Sequence, residues 1–338
     1  MKILVTGGLG YIGSHTVVEL QNEGYEALII DDLSNASIDV LEGITSITGV
    51  KPIFEQIDLK EKFKVQDFFQ RHSDIQGVIH FAASKAVGES VDKPLLYYEN
   101  NINTLVYVLQ EISKLKRKNF IFSSSCTVYG QADELPISES APTKPAESPY
   151  GNTKQIGEEI IKDICKINPD FKAIALRYFN PIGAHPSAKI GELPIGVPQN
   201  LVPFITQTAI GLRKELSVFG DDYPTEDGTC VRDYIHVVDL AKAHVVALKR
   251  LLEGANKSNY EVFNLGTGKG SSVLEVIKSF EKATGETLNY KIVGRRTGDV
   301  IAAYADTHKA KDELGWQTQL SLDEAMKSAW NWEQKIRK

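Results

Sequence analysis

Three glycines directly after the first apolar segment restrict the fold of this chain more than any other feature. Gly7, Gly10 and Gly13 have the spacing G-x-x-G-x-x-G, between an apolar run over 2–6 and a stretch with helical spacing over 12–23. Glycines in this context allow a tight turn, close approach of the backbone to a pyrophosphate, and close helix–strand packing. The helix N-terminus presents N–H groups and a positive dipole end to phosphates. The pattern predicts a dinucleotide-binding βαβ unit.

An acidic residue at the end of the next apolar run indicates which dinucleotide is bound. Asp31 closes the run over 26–30, beyond Gly13. A carboxylate there accepts hydrogen bonds from the adenosine ribose hydroxyls and would repel a 2′-phosphate, so NAD is favoured over NADP. The alternative is an aspartate that only starts the next turn. Asp58 and Leu59 follow the third strand-like run, where we expect them at the adenine edge or, alternatively, in an ordinary turn.

The first half of the chain alternates segments of strand and helix character. Apolar runs of strand length and helically spaced segments follow one another at 2–6, 12–23, 26–30, 77–82, 93–115, 119–124, 150–166 and 172–176. This order predicts an α/β fold of the Rossmann type, a doubly wound parallel sheet covered by helices on both faces. We place the predicted NAD-binding domain at residues 1–177.

The second half of the chain differs from the first in composition and in the spacing of its apolar residues. Residues 178–232 are rich in Gly, Pro, Asn and Asp, which indicates long loops around short elements. Long loops in a compact enzyme are usually functional. Helical spacing returns over 237–252, 272–283 and 322–332. We therefore predict a smaller C-terminal α/β domain at 178–338 that mainly binds the substrate, with some segments returning to the first domain.

Composition fits a globular enzyme and excludes several other classes. Of 338 residues, 42% are apolar and 24% are charged, and the formal net charge of −6 argues against non-specific nucleic-acid binding. No apolar stretch has the length of a membrane span. The N-terminal apolar run ends at Thr6, which does not fit a secretory signal. We expect a cytoplasmic protein with neither a membrane nor a nucleic-acid partner.

The cysteines and histidines favour neither disulfides nor a metal site. The three cysteines form no C-x-x-C pair, and an odd number gives no disulfide framework, so we expect free thiols in a reducing compartment. His80, His236 and His244 do not have the spacing of metal ligands. We therefore predict no metal and expect these histidines in packing or at the surface.

A serine at the end of one apolar run precedes a tyrosine and a lysine at helical spacing. Ser125 follows the run over 119–124, and Tyr150 and Lys154 share one face of a predicted helix. Tyrosine has an ordinary pKa of about 10, and a nearby ammonium favours the phenolate and lowers that pKa. The phenolate can take a hydroxyl proton while the same carbon gives up a hydride. The alternative is a solvent-facing pair, but the preceding dinucleotide loop leads us to predict catalysis.

Together these residues resemble the short-chain dehydrogenase/reductase superfamily, in particular its extended branch of nucleotide-sugar enzymes and, within that branch, the UDP-glucose (UDP-galactose) 4-epimerases. The similarity extends over nearly the whole chain. Its specific stretches are 5–16 (VTGGLGYIGSHT), 80–83 (HFAA), 85–90 (KAVGES), 122–125 (FSSS), 148–151 (SPYG), 177–181 (RYFNP), 223–228 (YPTEDG) and 231–236 (VRDYIH). The segment 85–90 and the last two stretches are much more specific than the superfamily motifs.

The resemblance implies roles for a larger set of residues. It implies NAD contacts from Gly7, Gly10, Tyr11, Ile12, Gly13, Asp31, Asp32, Asn35, Asp58, Leu59, Phe81, Ala82, Ala83, Lys85, Asn100, Ser125, Tyr150, Lys154 and Tyr178. It implies UDP-sugar contacts from Lys85, Ser125, Tyr150, Asn180, Asn200, Leu201, Leu216, Phe219, Arg232, Arg296, Asp299 and Ala303. Guanidinium groups suit a diphosphate, and an aromatic face suits uracil. The alternative for each loop arginine is an ordinary surface charge.

The same resemblance implies an activity. It is the reversible inversion of C4 between UDP-glucose and UDP-galactose, through a 4-keto intermediate with tightly bound NAD, in a homodimer. Ala303 stands where some relatives carry a tyrosine beside the sugar, so we expect activity on UDP-N-acetylglucosamine and UDP-N-acetylgalactosamine too. Cys126 stands where many relatives have alanine, and we expect a small buried residue at this position.

Three other functions share part of this sequence pattern. A nucleotide-sugar 4,6-dehydratase needs an acid and a base directly after the serine, but Cys126 and Thr127 follow Ser125 here. An NAD-dependent sugar-nucleotide dehydrogenase would release its cofactor, and the long loops that the resemblance assigns to UDP argue against that. A non-enzymatic dinucleotide sensor would need neither Tyr150 nor Lys154.

Overall fold

The computed structural model describes residues 1–296 and 299–338. The helices are α1 (Tyr11–Asn22), α2 (Val40–Thr48), α3 (Lys62–Arg71), α4 (Val87–Asp92), α5 (Pro94–Ile112), α6 (Pro149–Ile167), α7 (Leu201–Ala209), α8 (Val237–Leu252), α9 (Val273–Thr284) and α10 (Leu322–Ile336). The strands are β1 (Lys2–Thr6), β2 (Glu26–Asp31), β3 (Ile53–Gln56), β4 (Gly77–His80), β5 (Lys118–Ser125), β6 (Phe171–Tyr178), β7 (Asn180–Ile182), β8 (Leu216–Phe219), β9 (Val231–Arg232), β10 (Tyr234–His236), β11 (Tyr260–Leu265), β12 (Ser271–Ser272), β13 (Tyr290–Val293) and β14 (Ala302–Ala303). A 3₁₀ turn lies at Cys126–Tyr129, and a π-helical turn at Ala310–Leu314.

A seven-stranded sheet confirms the predicted Rossmann-type α/β class. Its strand order is β11-β6-β5-β4-β1-β2-β3, and β1 pairs in parallel with β2 and β4, β2 with β3, and β4 with β5. The chain begins in β1, adds β2 and β3 on one side, and crosses back to β4 on the other, which is the doubly wound order. Ile3, Leu4 and Val5 are fully buried, as expected of a strand covered on both faces.

The chain divides into two compact units. The first comprises 1–130, 142–177 and 241–263, and the second comprises 131–141, 178–240 and 264–338. The sequence pattern places one boundary at residue 177 and expects returning segments. The assignment of NAD binding to the first domain and of substrate binding to the second stays a prediction.

In the first unit, the carboxyl ends of neighbouring strands carry the residues singled out in the sequence. β1 ends at Thr6 before the glycine turn, β2 ends at Asp31, β4 ends at His80, and β5 ends at Ser125. Because these strands are parallel, their carboxyl ends lie along one edge of the sheet. In open α/β sheets this edge, at the point where the strand order reverses, is where ligands bind.

The second unit has its own core and small sheets. Strand β9 lies between β12 and β14, β8 pairs with β13, and β7 pairs with β10. Helices α9 and α10 pack over this core, where the rings of Phe280 and Trp330 meet edge to face with centroids 5.7 Å apart. Among the described residues, no helix combines the length and the apolarity that crossing a bilayer requires.

Candidate active site

The glycine turn brings bare backbone close to a neighbouring strand end. Gly7 has a φ of +66°, and a Cβ placed there would lie 2.8 Å from the backbone nitrogen of Ala82. The Gly7 carbonyl accepts from the Gly10 N–H at 3.1 Å, and α1 begins directly after Gly10. The turn therefore forms a narrow cradle at a helix N-terminus, which fits the pyrophosphate of a dinucleotide.

Substitution of Gly7 should damage this cradle more than the fold. Gly7→Ala has to adopt a positive φ and also forces Ala82 away, so we expect a purified protein with at least about tenfold less bound dinucleotide. Gly24→Ala is the matched control, because Gly24 has a φ of +79° and a Cβ placed there would meet no heavy atom within 4 Å. Gly24→Ala should lose about 1–2 kcal/mol of stability in chemical denaturation, and Gly7→Ala should lose more, because the backbone of Ala82 has to move as well. Equal dinucleotide content in the two would contradict the close-approach argument.

Asp31 lies where the predicted ribose contact requires an acid. Its side chain is buried and accepts from the backbone N–H groups of Leu9 and Leu33, both at 3.0 Å. Burial raises the pKa of Asp31, and these backbone hydrogen bonds lower it. Asp32 instead closes its own turn by accepting from the backbone and hydroxyl of Ser34. The carboxylate of Asp31 thus links the β2 end to the glycine turn.

The residues predicted at the adenine side show ordinary turn geometry. Asp58 accepts from the Lys60 N–H at 2.9 Å, Leu59 is buried, and Asn35 is exposed. These contacts match the turn interpretation of Asp58 that the sequence left open. An adenine contact from Asp58 or Leu59 stays a prediction.

The residues predicted at the other end of the cofactor follow β4. Phe81 packs on the His244 ring with centroids 4.7 Å apart, and Lys85 is exposed with its Nζ 5.9 Å from the centroid of the Tyr11 ring. Asn100 donates to the Ser84 hydroxyl at 3.0 Å. Ala82 and Ala83 are half-buried beside the glycine turn. All of the predicted NAD contacts except Tyr178 belong to the first unit.

The start of α6 fixes the tyrosine and the lysine on one face. Ser148 caps the helix by accepting from the Gly151 N–H at 3.1 Å, and Pro149 occupies the first helical position, where its missing N–H costs nothing. Tyr150 therefore lies in the first turn and Lys154 one turn later. The Lys154 Nζ is 5.7 Å from the centroid of the Tyr150 ring.

Lys154 is held by a hydrogen bond to the end of β5. Its Nζ donates to the Ser123 carbonyl at 2.6 Å, and it lies 5.1 Å from the centroid of the Phe122 ring. Burial lowers the pKa of Lys154 to about 8, and the carboxylate of Glu158 opposes this shift. The lysine is therefore still largely protonated at neutral pH, but it loses its proton at a lower pH than an ordinary lysine does.

The pKa of Tyr150 differs from the sequence expectation. An ammonium beside the phenol predicts a lowered pKa, but burial raises the pKa of Tyr150 to about 12, and the hydrogen bond with Ser125 lowers it only in part. The reason is that the half-buried ring has lost part of its contact with water while the lysine ammonium donates to the Ser123 carbonyl. A further positive charge at the site is needed to favour the phenolate at neutral pH.

Sequence reasoning did not find the polar contacts beneath the site. His80 bonds the Thr6 hydroxyl at 2.8 Å, and burial lowers its pKa to about 3, so the ring is neutral at physiological pH. Glu158 pairs with Arg177 and accepts from Ser124. The one available signal was the position of Glu158, four residues after Lys154 and therefore on the same face of α6.

In the second unit, one carboxylate bridges the two predicted phosphate-binding arginines. Asp299 accepts from Arg296 Nη2 at 2.7 Å and from its Nε at 3.2 Å, and Arg232 Nη2 lies 3.6 Å from the same carboxylate. Arg296 also lies over the Phe219 ring, with its Cζ 5.5 Å from the centroid. The structure thus brings together two guanidinium groups, one acid and one exposed aromatic ring.

The remaining predicted substrate contacts are distributed along the same unit. Asn200 precedes α7 and donates to Glu192 at 2.7 Å, and Leu201 begins that helix. Leu216 begins β8 and is buried, whereas Asn180 begins β7 and donates its N–H to the Asp233 carbonyl. Tyr178, which is predicted to contact NAD and not the substrate, closes β6 and is buried.

The register of β14 separates Ala303 from its tyrosine neighbour. Ala303 pairs with Arg232 in parallel register, so the two side chains share one face of the sheet. Tyr304 lies on the other side, where its ring comes within 3.1 Å of a Cβ placed on Gly270, a position that also meets Val231. Ala303, and not Tyr304, therefore stands beside the arginine.

Cysteines and potential metal ligands show no grouping that points to another chemistry. Cys126, Cys165 and Cys230 are not joined by disulfides. The prediction that Cys126 is buried is wrong, because the residue begins the turn after β5 and is half-exposed. In the part of the chain that the structure describes, no three His, Cys, Asp or Glu side chains are arranged so that they could hold a metal ion.

Comparison with known proteins shows close relatives over the whole chain. Residues 4–329 match the family model described as GDP-mannose 4,6 dehydratase. The chain is 50% identical over 335 residues to the UDP-glucose 4-epimerase of Erwinia amylovora, with 98% of each chain covered. It is 46% identical to the UDP-glucose-4-epimerase of Stenotrophomonas maltophila with bound NAD and formylated UDP-arabinopyranose, with a TM-score of 0.96 over 100% of this chain and 99% of that one. The Bifidobacterium longum enzyme in complex with NAD+ and UDP is also 46% identical, with a TM-score of 0.95 and the same coverage.

Proposed function

This chain belongs to the UDP-glucose 4-epimerase family, and we propose that it interconverts UDP-glucose and UDP-galactose by inverting C4, as an NAD-dependent isomerase. One observation carries the proposal. Ser125, Tyr150 and Lys154 converge at the carboxyl edge of a Rossmann-type sheet, two strands away from a glycine cradle that fits a dinucleotide. This combination is what reversible oxidation of a sugar hydroxyl needs.

Residues of the first unit would hold the cofactor. The glycine turn would bind the pyrophosphate, Asp31 the adenosine ribose, and Lys85 the ribose on the nicotinamide side. NAD, when bound, supplies the hydride acceptor and donor for C4 and, in its oxidised form, a positive charge that favours the phenolate of Tyr150. Asp31 favours NAD over NADP, because its carboxylate would repel a 2′-phosphate.

The chain's own residues then move one proton. Tyr150 takes the proton of the C4 hydroxyl as that carbon becomes the ketone of a 4-keto sugar, and gives a proton back when C4 is reduced on its opposite face. Ser125 bonds the same oxygen in both steps. Lys154 supplies positive charge near the phenol ring and, with its pKa lowered to about 8, remains largely protonated at neutral pH.

The second unit would anchor the nucleotide while the hexose turns. Arg232 and Arg296 would bind the diphosphate as forked donors, and Phe219 would stack on uracil. Their binding energy holds the UDP end without fixing the sugar, which has to present both faces of C4. We propose that Asn180, Asn200 and Leu201 also contact the UDP end.

The dehydratase function agrees less well with this site, although the matching family model is described by that activity. Elimination needs an acid and a base beside the 4-keto sugar. The residues after Ser125 are Cys126 and Thr127, and Thr127 lies in the 3₁₀ turn with its N–H bonded to the serine hydroxyl at 3.2 Å. Neither the thiol of Cys126 nor the hydroxyl of Thr127 can serve as the acid and the base of the elimination in the way that a pair of carboxylates can.

The proposal also covers the oligomeric state of the protein and its compartment in the cell. We infer a cytoplasmic homodimer, as the family resemblance implies, built through helices of the first unit. Two exposed apolar residues on neighbouring helices support this, since Val91 on α4 and Leu95 on α5 are 60% and 80% exposed in one chain. Isolated apolar side chains are normal at a surface, but neighbouring ones favour an interface.

The test is turnover without added cofactor. Because the cycle regenerates NAD, we expect the purified protein to convert UDP-galactose to UDP-glucose with no NAD supplied, and heat denaturation to release NAD and not NADP. A 4-keto-6-deoxy product would support the dehydratase, and a strict need for added NAD at high concentration would support the dehydrogenase. Absence of any conversion by dinucleotide-loaded protein would support the sensor.

A further inference from the structure

A buried carboxylate on the catalytic face of α6 lies at the centre of a hydrogen-bond network. The Glu158 Oε1 accepts from Ser124 Oγ at 2.6 Å and from Arg177 Nε at 2.8 Å. Its Oε2 accepts from Arg177 Nη2 at 2.5 Å and from the Tyr260 hydroxyl at 3.1 Å. Glu158 and Arg177 are 2% and 4% exposed. The network therefore ties α6 to β5, β6 and β11 within the first unit.

Ser124 is the middle residue of the strand end that holds the two catalytic side chains. The residue before it carries the carbonyl that accepts from Lys154, and the residue after it carries the hydroxyl that bonds Tyr150. A displacement of Ser124 along the strand would move both contacts, because neighbouring residues of a strand move together. Glu158 fixes Ser124 from the side of α6.

We propose that Glu158 is a positioning residue for the epimerisation, which holds the end of β5 against α6 so that Tyr150 and Lys154 meet the substrate hydroxyl in register. The inference rests on the proposed roles of Tyr150 and Lys154. Three successive residues of β5 bond three residues of α6 that are each one turn apart, and Glu158 forms the buried end of this series. Its bonds are far from solvent, so they set the geometry more firmly than surface bonds would.

Glu158 also places a negative charge beside the ammonium of Lys154. Burial raises the pKa of Glu158, but its bonds and ion pair with Arg177 bring that pKa below the ordinary value, so the carboxylate stays ionised. Its charge favours the protonated lysine. The titratable groups around this pair are Tyr150 and Lys162 on α6, His80 on β4, Cys126 and Tyr129 in the 3₁₀ turn, Arg177 on β6 and Tyr260 on β11. Of these, the neutral His80 does not compete with Glu158 for the ammonium.

Glu158→Gln tests the inference because it keeps the shape and removes the charge. We expect kcat for UDP-galactose to fall by roughly ten- to a hundredfold, with KM and NAD content nearly unchanged, because the misplacement affects the reacting groups and not the nucleotide. The alkaline limb of the pH profile of kcat should move down by roughly one pH unit, because the lysine loses protons more easily without the carboxylate. A merely structural role would not move this limb.

A matched control and a milder variant keep the test decisive. Arg250, which is half-buried, and Glu261, which is buried, form a second two-bond pair in the first unit, with distances of 2.7 and 2.9 Å, between α8 and β11. Glu261→Gln removes the same charge, and its pH profile should stay that of the parent protein. Should Glu158→Gln fail to fold, Ser124→Ala breaks only the bond to the strand and should still lower kcat several-fold.

The outcomes separate this inference from the proposed function. Folded, NAD-loaded Glu158→Gln or Ser124→Ala with the parent kcat and pH profile would overturn the positioning role. The positioning role would also be overturned if the alkaline limb of the pH profile shifted as far in Glu261→Gln as in Glu158→Gln. If Tyr150→Phe retains full turnover, the assigned base is wrong and the proposed mechanism fails, whatever Glu158 does.

Discussion

Tyr150→Phe is expected to lower kcat by roughly 10²–10⁴-fold, the range that a general acid–base group contributes. The change removes one oxygen atom and keeps the ring, so packing in the first turn of α6 should persist. The phenol is the group that hydrogen-bonds Ser125 and lies next to Lys154, and its hydroxyl is the proposed proton carrier. We expect the variant to retain NAD, since the glycine cradle and Asp31 are untouched.

The measurement combines steady-state turnover of UDP-galactose with an assay of dinucleotide released by heat. Tyr107→Phe is the matched control, because it removes the same hydroxyl from a half-buried tyrosine on α5 whose ring lies under Lys62. The control should keep its turnover within about twofold, as surface-side substitutions usually do. Near-full turnover of Tyr150→Phe, or an equal loss in Tyr107→Phe, would show that another group carries the proton.

The sequence was sufficient for those parts of the fold that depend on local patterns. The glycine spacing and the apolar runs predicted the βαβ start, and the i, i+4 spacing predicted that Tyr150 and Lys154 share a helix face. Both signals are local, because a turn or a helix turn is decided within a few residues. The bounds of strands and helices differ from the predicted bounds by a few residues, because the ends of these elements fray.

Contacts between distant segments could not be predicted in the same way. The Lys154 bond to the Ser123 carbonyl joins residues 31 positions apart. In the second unit, the ion pair between Asp299 and Arg232 joins the segment before β14 to β9. The direction of the Tyr150 pKa shift depends on how much water the fold removes around the ring, which no spacing reveals. The short segment 131–141 belongs to the second unit without any local signal for it.

We expect substrate range to depend on one small residue on the arginine face of β14. Ala303 shares that face with Arg232, whereas Ala302 pairs with Val231 and Tyr304 lies towards Gly270. The family resemblance implies, and we propose, that Ala303 lies against the hexose near its C2 substituent. An acetamido group is larger than a hydroxyl, and the hexose has to turn inside the site, so a small wall removes a repulsive contact. We therefore expect the parent protein to convert both UDP-galactose and UDP-N-acetylgalactosamine.

Ala303→Tyr should change the preference between these two substrates by roughly 10²-fold in kcat/KM, mainly by suppressing the N-acetylated one. The plain sugar should be spared, because it needs no room at C2 beyond a hydroxyl. Ala302→Tyr is the matched control, since it adds the same ring to the opposite face of the same strand and should leave the substrate ratio unchanged. The ratio is measured by separating the products of both UDP-sugars with each variant. A parent protein that ignores UDP-N-acetylgalactosamine, or a control that changes the ratio as strongly as Ala303→Tyr, would show that the wall lies elsewhere.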